Sequence, residues 1–247
     1  MTASMEYLKA VRGILDFYEK TQGEAVERAA DLVADSVLNG GTVHLAAIGH
    51  SNEQDFLNRA GGPAFLQALT FSFAINDPVP DCLKNRPRPE PFDREIESIR
   101  FALRAGNLRQ GDVVAVGSVS GRNIRPVEIA LACRELGIKV IGFTSLAYTA
   151  KVASAHPSGK KLADVADVVI DNGAPYGDAA VSIPGYDFPL MPVSGVSMTV
   201  GGWLIWGRAM EKMAARGTPA SVFMSVNREG GQAVYEKNRE RYQKLGY

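Results

Sequence analysis

Apolar residues recur along this chain with two different periods, and each period predicts a type of secondary structure. Met5, Leu8 and Leu15 follow helical spacing with charged residues between them, so the sequence predicts a helix over residues 3–20. A second amphipathic helix is predicted over residues 23–38. Two helices ahead of the first strand must cover their apolar stripes against the sheet or against a partner subunit. We therefore expect a homo-oligomer, either a dimer or a tetramer.

Nearly unbroken apolar runs predict strands that are covered on both faces. These runs are 42–48, 112–116, 139–143 and 167–170, and residues 65–73 are compatible with a further strand. Helices are predicted between and after them, over residues 92–105, 124–136, 162–166, 194–215 and 233–245. The alternation predicts one α/β domain over residues 1–247, with a doubly wound parallel sheet and helices on both faces.

Two features of this pattern carry more specific expectations. The helix over residues 194–215 is apolar almost all round, so we expect it to be buried. Residues 77–91 and 174–193 are rich in proline and are predicted as loops. The first of these loops is compatible with a lid, a subunit contact or an inert connection.

Charge and cysteine content exclude several classes of protein. Lys+Arg and Asp+Glu number 27 each, so no basic excess indicates a nucleic-acid or membrane partner. The two cysteines, Cys82 and Cys133, form neither a disulfide framework nor a metal-binding spacing. No signal peptide or membrane span is predicted, so we expect a cytoplasmic protein. The P-loop and dinucleotide-binding patterns are absent, so we expect neither a cofactor nor a metal.

The stretch from Asp112 to Asn123 combines a buried strand, a turn with two hydroxyls and the start of a helix. Ser118 and Ser120 lie two residues apart in this turn, with Gly117 and Gly121 beside them. Unpaired N–H groups at a helix N-terminus stabilise an anion, and glycine lets the backbone approach a ligand closely. The turn favours a phosphate-bearing ligand, although by itself it is equally compatible with an ordinary strand-to-helix connection.

Hydroxyl residues follow three of the predicted strands. They are Ser51, the pair Ser118 and Ser120, and the pair Thr144 and Ser145. In a doubly wound sheet the ligand lies beyond the carboxyl ends of the strands, where the strand order reverses. We therefore expect these hydroxyls to converge on one phosphate-binding crevice.

These residues resemble the sugar isomerase (SIS) domain superfamily and, within it, the bacterial UPF0309 family. The superfamily resemblance rests on Gly117-Ser-Val-Ser-Gly121 and Thr144-Ser145. The finer resemblance rests on motifs spread along the chain: Gly49-His50-Ser51, Ser120-Gly-Arg-Asn123, Pro126-Val-Glu128, His156-Pro-Ser-Gly-Lys160, Ala166-Asp-Val-Val-Ile-Asp-Asn172, Gly177-Asp-Ala179 and Asn227-Arg-Glu-Gly230. One departure is Ile48, where the family pattern has a glycine or cysteine ahead of Gly49.

The resemblance implies a flavodoxin-like five-stranded sheet, an oligomer with sites near its interfaces, and a phosphosugar ligand. We expect that ligand to contact a set of small polar and basic residues, namely Ser51, Ser118, Ser120, Gly121, Arg122, Asn123, Thr144, Ser145 and Lys160.

Isomerisation of a phosphosugar needs a base that moves a proton and an acid that opens the ring. The candidates are Glu128, His50, His156 and Asp178. Each has a structural alternative: Glu128 would complement its helix dipole, His50 would be a hydrogen-bonded structural residue, His156 would be solvated on a polar loop, and Asp178 would form a turn. His44, inside the first strand, is expected to be a core residue.

Two functions follow from this pattern. The first is an isomerase, or a related etherase-type lyase, that acts on a phosphorylated sugar or amino sugar. The second is a non-catalytic phosphosugar sensor or regulatory protein. The sequence carries no basic recognition helix, which argues against a DNA-binding version of the second function.

Overall fold

The computed structural model describes residues 2–46, 52–87 and 92–247, and a parallel sheet of five strands forms its centre. The strands are β1 (Val43–Ala46), β2 (Leu66–Ala68), β3 (Val113–Gly117), β4 (Lys139–Thr144) and β5 (Val168–Asp171). Their order is β2-β1-β3-β4-β5, and all neighbours run parallel. This flavodoxin-like order confirms the predicted doubly wound sheet.

Helices surround the sheet. They are α1 (Ala3–Thr21), α2 (Gly23–Leu38), α3 (Arg94–Ala105), α4 (Ile124–Glu135), α5 (Leu146–Thr149), α6 (Leu162–Val165), α7 (Ser194–Ala215) and α8 (Gly231–Leu245). Short 3₁₀ helices span Asn52–Asp55 and Asp81–Leu83. Asp93 begins α3, because its carboxylate accepts the amides of Glu95 and Ile96.

Successive residues of each strand face two different apolar cores. Val113 and Ala115 pack with α1, α2 and α7 on one face of the sheet. Val114 and Val116 pack with α3, α4 and α6 on the other. Both faces are therefore covered, which explains why the strands are apolar without alternation. The two N-terminal helices share one face with α7.

The structure corrects two expectations. Residues 174–193 are not only loop, because β6 (Ala179–Val181) and β7 (Leu190–Pro192) pair there as an antiparallel hairpin. Helix α7 is not buried all round, since Leu204 is 43% exposed and Val196 is 39% exposed. Its buried face recurs with helical period through Met198, Ile205 and Ala209. Within the described part of the chain, no helix is long and apolar enough to cross a membrane.

Candidate functional site

Residues 118–123 form the turn between the end of β3 and the start of α4, and we call them the Ser118–Asn123 turn. Gly121 in this turn has a φ of +65°, which favours glycine. A Cβ atom at this position would lie 2.8 Å from Thr144 Oγ1 and 2.9 Å from Thr149 Oγ1. Backbone conformation and packing therefore both require glycine here.

Thr144 and Ser145 support the Ser118–Asn123 turn and are fully buried. The Thr144 hydroxyl donates to the carbonyl of Val119 at 3.3 Å. The Ser145 amide donates to the same carbonyl at 2.9 Å, and the Ser145 hydroxyl donates to the carbonyl of Ala174 at 2.6 Å. The Thr144 hydroxyl is engaged with the turn and the Ser145 hydroxyl with Ala174, so a ligand in the cleft would not reach either hydroxyl without a rearrangement.

A cleft with a volume of about 790 Å³ opens at this turn. It lies at the carboxyl end of β3, beside the reversal of strand order between β1 and β3. The lining residues come from the end of β3, from the turn, from the first turns of α3 and α4, from α5 and from two loops: Glu95, Gly117, Ser118, Val119, Ser120, Asn123, Ile124, Arg125, Pro126, Tyr148, Ala155, Gly177 and Asp178.

Ser118 and Ser120 present free hydroxyls to the cleft. Both residues line it, and neither hydroxyl has a hydrogen-bond partner within residues 2–46, 52–87 and 92–247. Asn123 begins α4 without using its side chain as a cap. The first backbone N–H groups of α4 therefore lie at the cleft without helical partners, and they add donors and a partial positive charge. This combination is suited to an oxyanion.

Glu128 and His156, two predicted catalytic residues, contact one another outside the cleft lining. The Glu128 side chain is fully buried, and its Oε2 lies 2.9 Å from His156 Nε2. Arg100 Nε of α3 donates to Oε1 of the same carboxylate at 2.5 Å. This hydrogen bond raises the pKa of Arg100. Glu128 is therefore paired on both oxygens, as a buried carboxylate must be.

The other ring nitrogen of His156 assigns the tautomer. The backbone N–H of Ser158 donates to His156 Nδ1 at 3.1 Å, so Nδ1 acts as the acceptor. The proton then lies on Nε2, which donates to Glu128. Ala155 beside it donates its amide to the carbonyl of Arg122 at 2.9 Å and lines the cleft. The Glu128–His156 contact therefore anchors the loop that forms one wall of the cleft.

Asp178 lines the cleft, but its carboxylate is engaged. It accepts the Ser194 hydroxyl at 2.6 Å and the Ser194 amide at 2.9 Å at the start of α7. Asp178 has a φ of +68°, so the predicted turn-forming character of this residue is present as well.

The remaining predicted residues lie apart from the cleft or outside the described residues. Lys160 is exposed and Arg122 is partly exposed, and neither lines the cleft. Among the described residues, the buried Nε atom of Arg122 has no hydrogen-bond partner. His50 and Ser51 fall outside the described residues.

The cleft also contains residues that sequence reasoning missed. Glu95 and Arg125 come from the first turns of α3 and α4, and Tyr148 comes from α5. The Tyr148 ring meets the Tyr176 ring edge to face, with centroids 4.9 Å apart. For Tyr148, the sequence offered one indication of a place in the cleft, because this residue follows Ser145 at the strand end by three positions. Among the described residues, no group of three or more His, Cys, Asp or Glu side chains could hold a metal ion.

Comparisons with known proteins show the family and the fold of the chain. The SIS domain family model matches residues 6–145. A UPF0309 protein of Halalkalibacterium halodurans is 35% identical over 252 residues, covering 99% of this chain and 100% of the relative. A UPF0309 protein of Listeria innocua is 34% identical, covering 97% of this chain and 95% of the relative. The phosphoheptose isomerase of Neisseria gonorrhoeae has a similar fold, with a TM-score of 0.51 and 19% identity, covering 84% of this chain and 95% of that one.

Proposed function

The chain belongs to the UPF0309 family of SIS-domain proteins, and from this premise we propose that it binds a phosphorylated sugar in the cleft at the Ser118–Asn123 turn. The observation that carries the proposal is the pair of free hydroxyls on Ser118 and Ser120, set at the N-terminus of α4. Donors of this kind bind phosphate without a metal and without a large positive field. The zero net charge of the chain is consistent with such a local site.

The dimensions and lining of the cleft support a sugar as the remainder of the ligand. A volume of about 790 Å³ lies within the range of small-molecule sites. The ring of Tyr148 provides an apolar surface, while Asn123 provides a polar group that suits sugar hydroxyls. The proposed binding site also includes Gly121, which allows the conformation of the turn, and Thr144 and Ser145, which hydrogen-bond to the turn.

The proposal predicts the effect of Ser120→Ala. Loss of a hydroxyl that donates to a charged phosphate should weaken sugar-phosphate binding by about 1.5 to 3 kcal/mol. Isothermal titration calorimetry with a panel of hexose, heptose and N-acetylhexosamine phosphates measures this change. Ser4→Ala, which alters an exposed serine of α1, is the matched control and should bind like the wild type. Equal affinity of Ser120→Ala and Ser4→Ala would contradict the proposed turn.

For the reaction we propose an isomerase or a related lyase. Asp178 is the predicted acid/base residue that lines the cleft, and it would have to exchange its hydrogen bonds with Ser194 for the substrate, whereas Glu128 and His156 lie outside the lining. The catalytic roles of Glu128, His156 and His50 stay predictions. The enzyme proposal requires that a sugar phosphate raises the unfolding temperature of the protein. The same sugar phosphate must also be converted to an isomerised or cleaved product.

One observation favours a non-catalytic sensor as the second candidate. Within residues 2–46, 52–87 and 92–247, the lining of the cleft includes no histidine, and the carboxylate of Asp178 is held by Ser194. Binding of a sugar phosphate without any isomerised or cleaved product would favour the sensor. Formation of product would favour the enzyme.

We also propose that the chain forms a homo-oligomer through α1 and α7. Met5, Leu8 and Leu15 of α1 and Leu204 of α7 are each between 43% and 49% exposed. Leu15 and Leu204 line one groove between these helices. A partner subunit would remove this apolar surface from water.

A further inference from the structure

Glu95 brings an uncompensated carboxylate to the cleft. It lies in the first turn of α3 and lines the cleft together with Ser118 and Ser120. Within the described ranges, its carboxylate takes part in no hydrogen bond or ion pair. A charged group without a protein partner at a ligand cleft is available to a ligand.

The arginine of the cleft lining does not pair with Glu95. Arg125 and Glu95 line both the cleft and an adjoining depression, yet no ion pair joins them. The Arg125 guanidinium instead lies over the Phe71 ring, 4.6 Å from its centroid. This stacking holds the guanidinium on the aromatic surface and leaves Glu95, which is exposed, without an ion-pair partner among the described residues.

The other carboxylate of the cleft is already satisfied. Asp178 accepts both the hydroxyl and the amide of Ser194. Among the described residues, Glu95 therefore provides the carboxylate with the capacity to accept strong donors from a ligand.

The two parts of the cleft favour opposite charges. The Ser118–Asn123 turn stabilises an anion through N–H groups and hydroxyls. An ionised carboxylate disfavours a second anion nearby and stabilises a cationic donor, because hydrogen bonds between charged groups are the strong ones. A sugar with a phosphate and an ammonium group satisfies both parts.

We propose that the cleft selects a phosphorylated amino sugar with a free ammonium group, which Glu95 binds. This inference rests on the proposed phosphosugar function and narrows its substrate class. The proposed selectivity distinguishes free amino sugar phosphates from two related classes. N-acetylated amino sugar phosphates lack the positive charge of the ammonium group, and simple sugar phosphates carry a hydroxyl in place of the amino group.

Equilibrium binding with matched probes tests the inference. The probes are glucosamine, galactosamine and mannosamine 6-phosphates, each compared with its hexose 6-phosphate and its N-acetyl form by isothermal titration calorimetry. We expect at least one free amino sugar phosphate to bind about tenfold or more tightly than both counterparts. Glu95→Gln should reduce that preference to within about twofold, because the variant loses the carboxylate that distinguishes the ammonium group from a hydroxyl or an N-acetyl group.

Glu97→Gln is the matched control. Glu97 is also an acidic residue in the first turn of α3, but it does not line the cleft. This variant should retain the preference of the wild type. Equal or tighter binding of hexose or N-acetyl phosphates, or a preference that survives Glu95→Gln, overturns the inference and leaves the phosphosugar function standing. Absence of binding by every sugar phosphate overturns both.

Discussion

The carboxylate of Glu128 joins three parts of the molecule at a fully buried position. Glu128 belongs to α4. Its carboxylate accepts a hydrogen bond from Arg100 of α3 and another from His156, which lies in the loop that also places Ala155 at the cleft. An ionised carboxylate is tolerated in such a place only when its oxygens are paired. Glu128 therefore supports the wall of the cleft through His156.

This arrangement predicts that Glu128→Gln is strongly destabilising. Glutamine removes the buried negative charge and one of the two acceptor oxygens, so Arg100 and His156 can no longer both be satisfied, and we expect a loss of about 3 to 5 kcal/mol in the free energy of unfolding. Urea denaturation with linear extrapolation measures it. Glu135→Gln is the control, because Glu135 lies in the same helix and 3.7 Å from the same Arg100 but is 53% exposed. That variant should lose less than about 1 kcal/mol. Similar losses in the two variants would contradict the supporting role.

At the scale of one element, α7 combines close packing with an exposed side. Two adjacent glycines, Gly201 and Gly202, let neighbouring aromatic residues approach the helix backbone. A Cβ atom at Gly202 would meet the Phe56 ring, and one at Gly201 would meet the Tyr18 hydroxyl. The Phe56 ring is itself held edge to face by Trp203 and Trp206. Both glycines therefore lie on the buried face of α7, where they leave room for aromatic side chains.

We predict opposite effects of alanine at two glycines of α7. Gly202→Ala forces the confined Phe56 ring to move and should lower the free energy of unfolding by about 1 to 3 kcal/mol. At Gly207 a Cβ atom meets nothing within 4 Å. Gly207→Ala should raise the free energy of unfolding by about 0.5 to 1 kcal/mol, because alanine is the better helix former. Thermal unfolding followed by circular dichroism distinguishes the signs, and a stabilised Gly202→Ala protein would refute the packing argument.

At the scale of the whole molecule, one group of exposed apolar side chains lies on α1 and α7. Exposed leucines of α1 and α7 lie together, since Leu15 and Leu204 line the same groove. Both helices pack on the face of the sheet opposite α3 and α4. An interface there would cover the N-terminal helices without closing the cleft beside α4.

This distribution predicts that Leu204→Glu converts an oligomer into a monomer. The glutamate carboxylate would be buried in the interface without a partner, and the free-energy cost of its desolvation opposes association. Sedimentation equilibrium should give the wild type a mass that is a multiple of 26.5 kDa, and the variant a mass of 26.5 kDa. Leu245→Glu is the control, because Leu245 is 47% exposed on α8 and lies outside the groove. A wild-type mass of 26.5 kDa would rule out the proposed oligomer.

Sequence reasoning was most successful where the determining interactions are local. The spacing of apolar residues predicted α1, α2 and α7 close to their observed bounds, and apolar runs predicted β3 and β4. Helical and strand periods, caps and glycine turns depend on neighbours within a few residues. The Ser118–Asn123 turn was predicted for the same reason, because its glycines and hydroxyls adjoin one another in the chain.

Features that depend on distant contacts required the tertiary structure. Glu128 and His156 are 28 residues apart, and only packing decided that they bond to each other instead of lining the cleft. In the sequence, Glu95 looks like an ordinary acidic residue in the first turn of a helix. Only the packing of α3 beside α4 shows that it lines the cleft. The sequence alone thus determined most of the helices and strands, the doubly wound sheet and the turn between β3 and α4, because these follow from local period and backbone conformation. Tertiary structure decided which side chains share the cleft, because that depends on how separate elements pack.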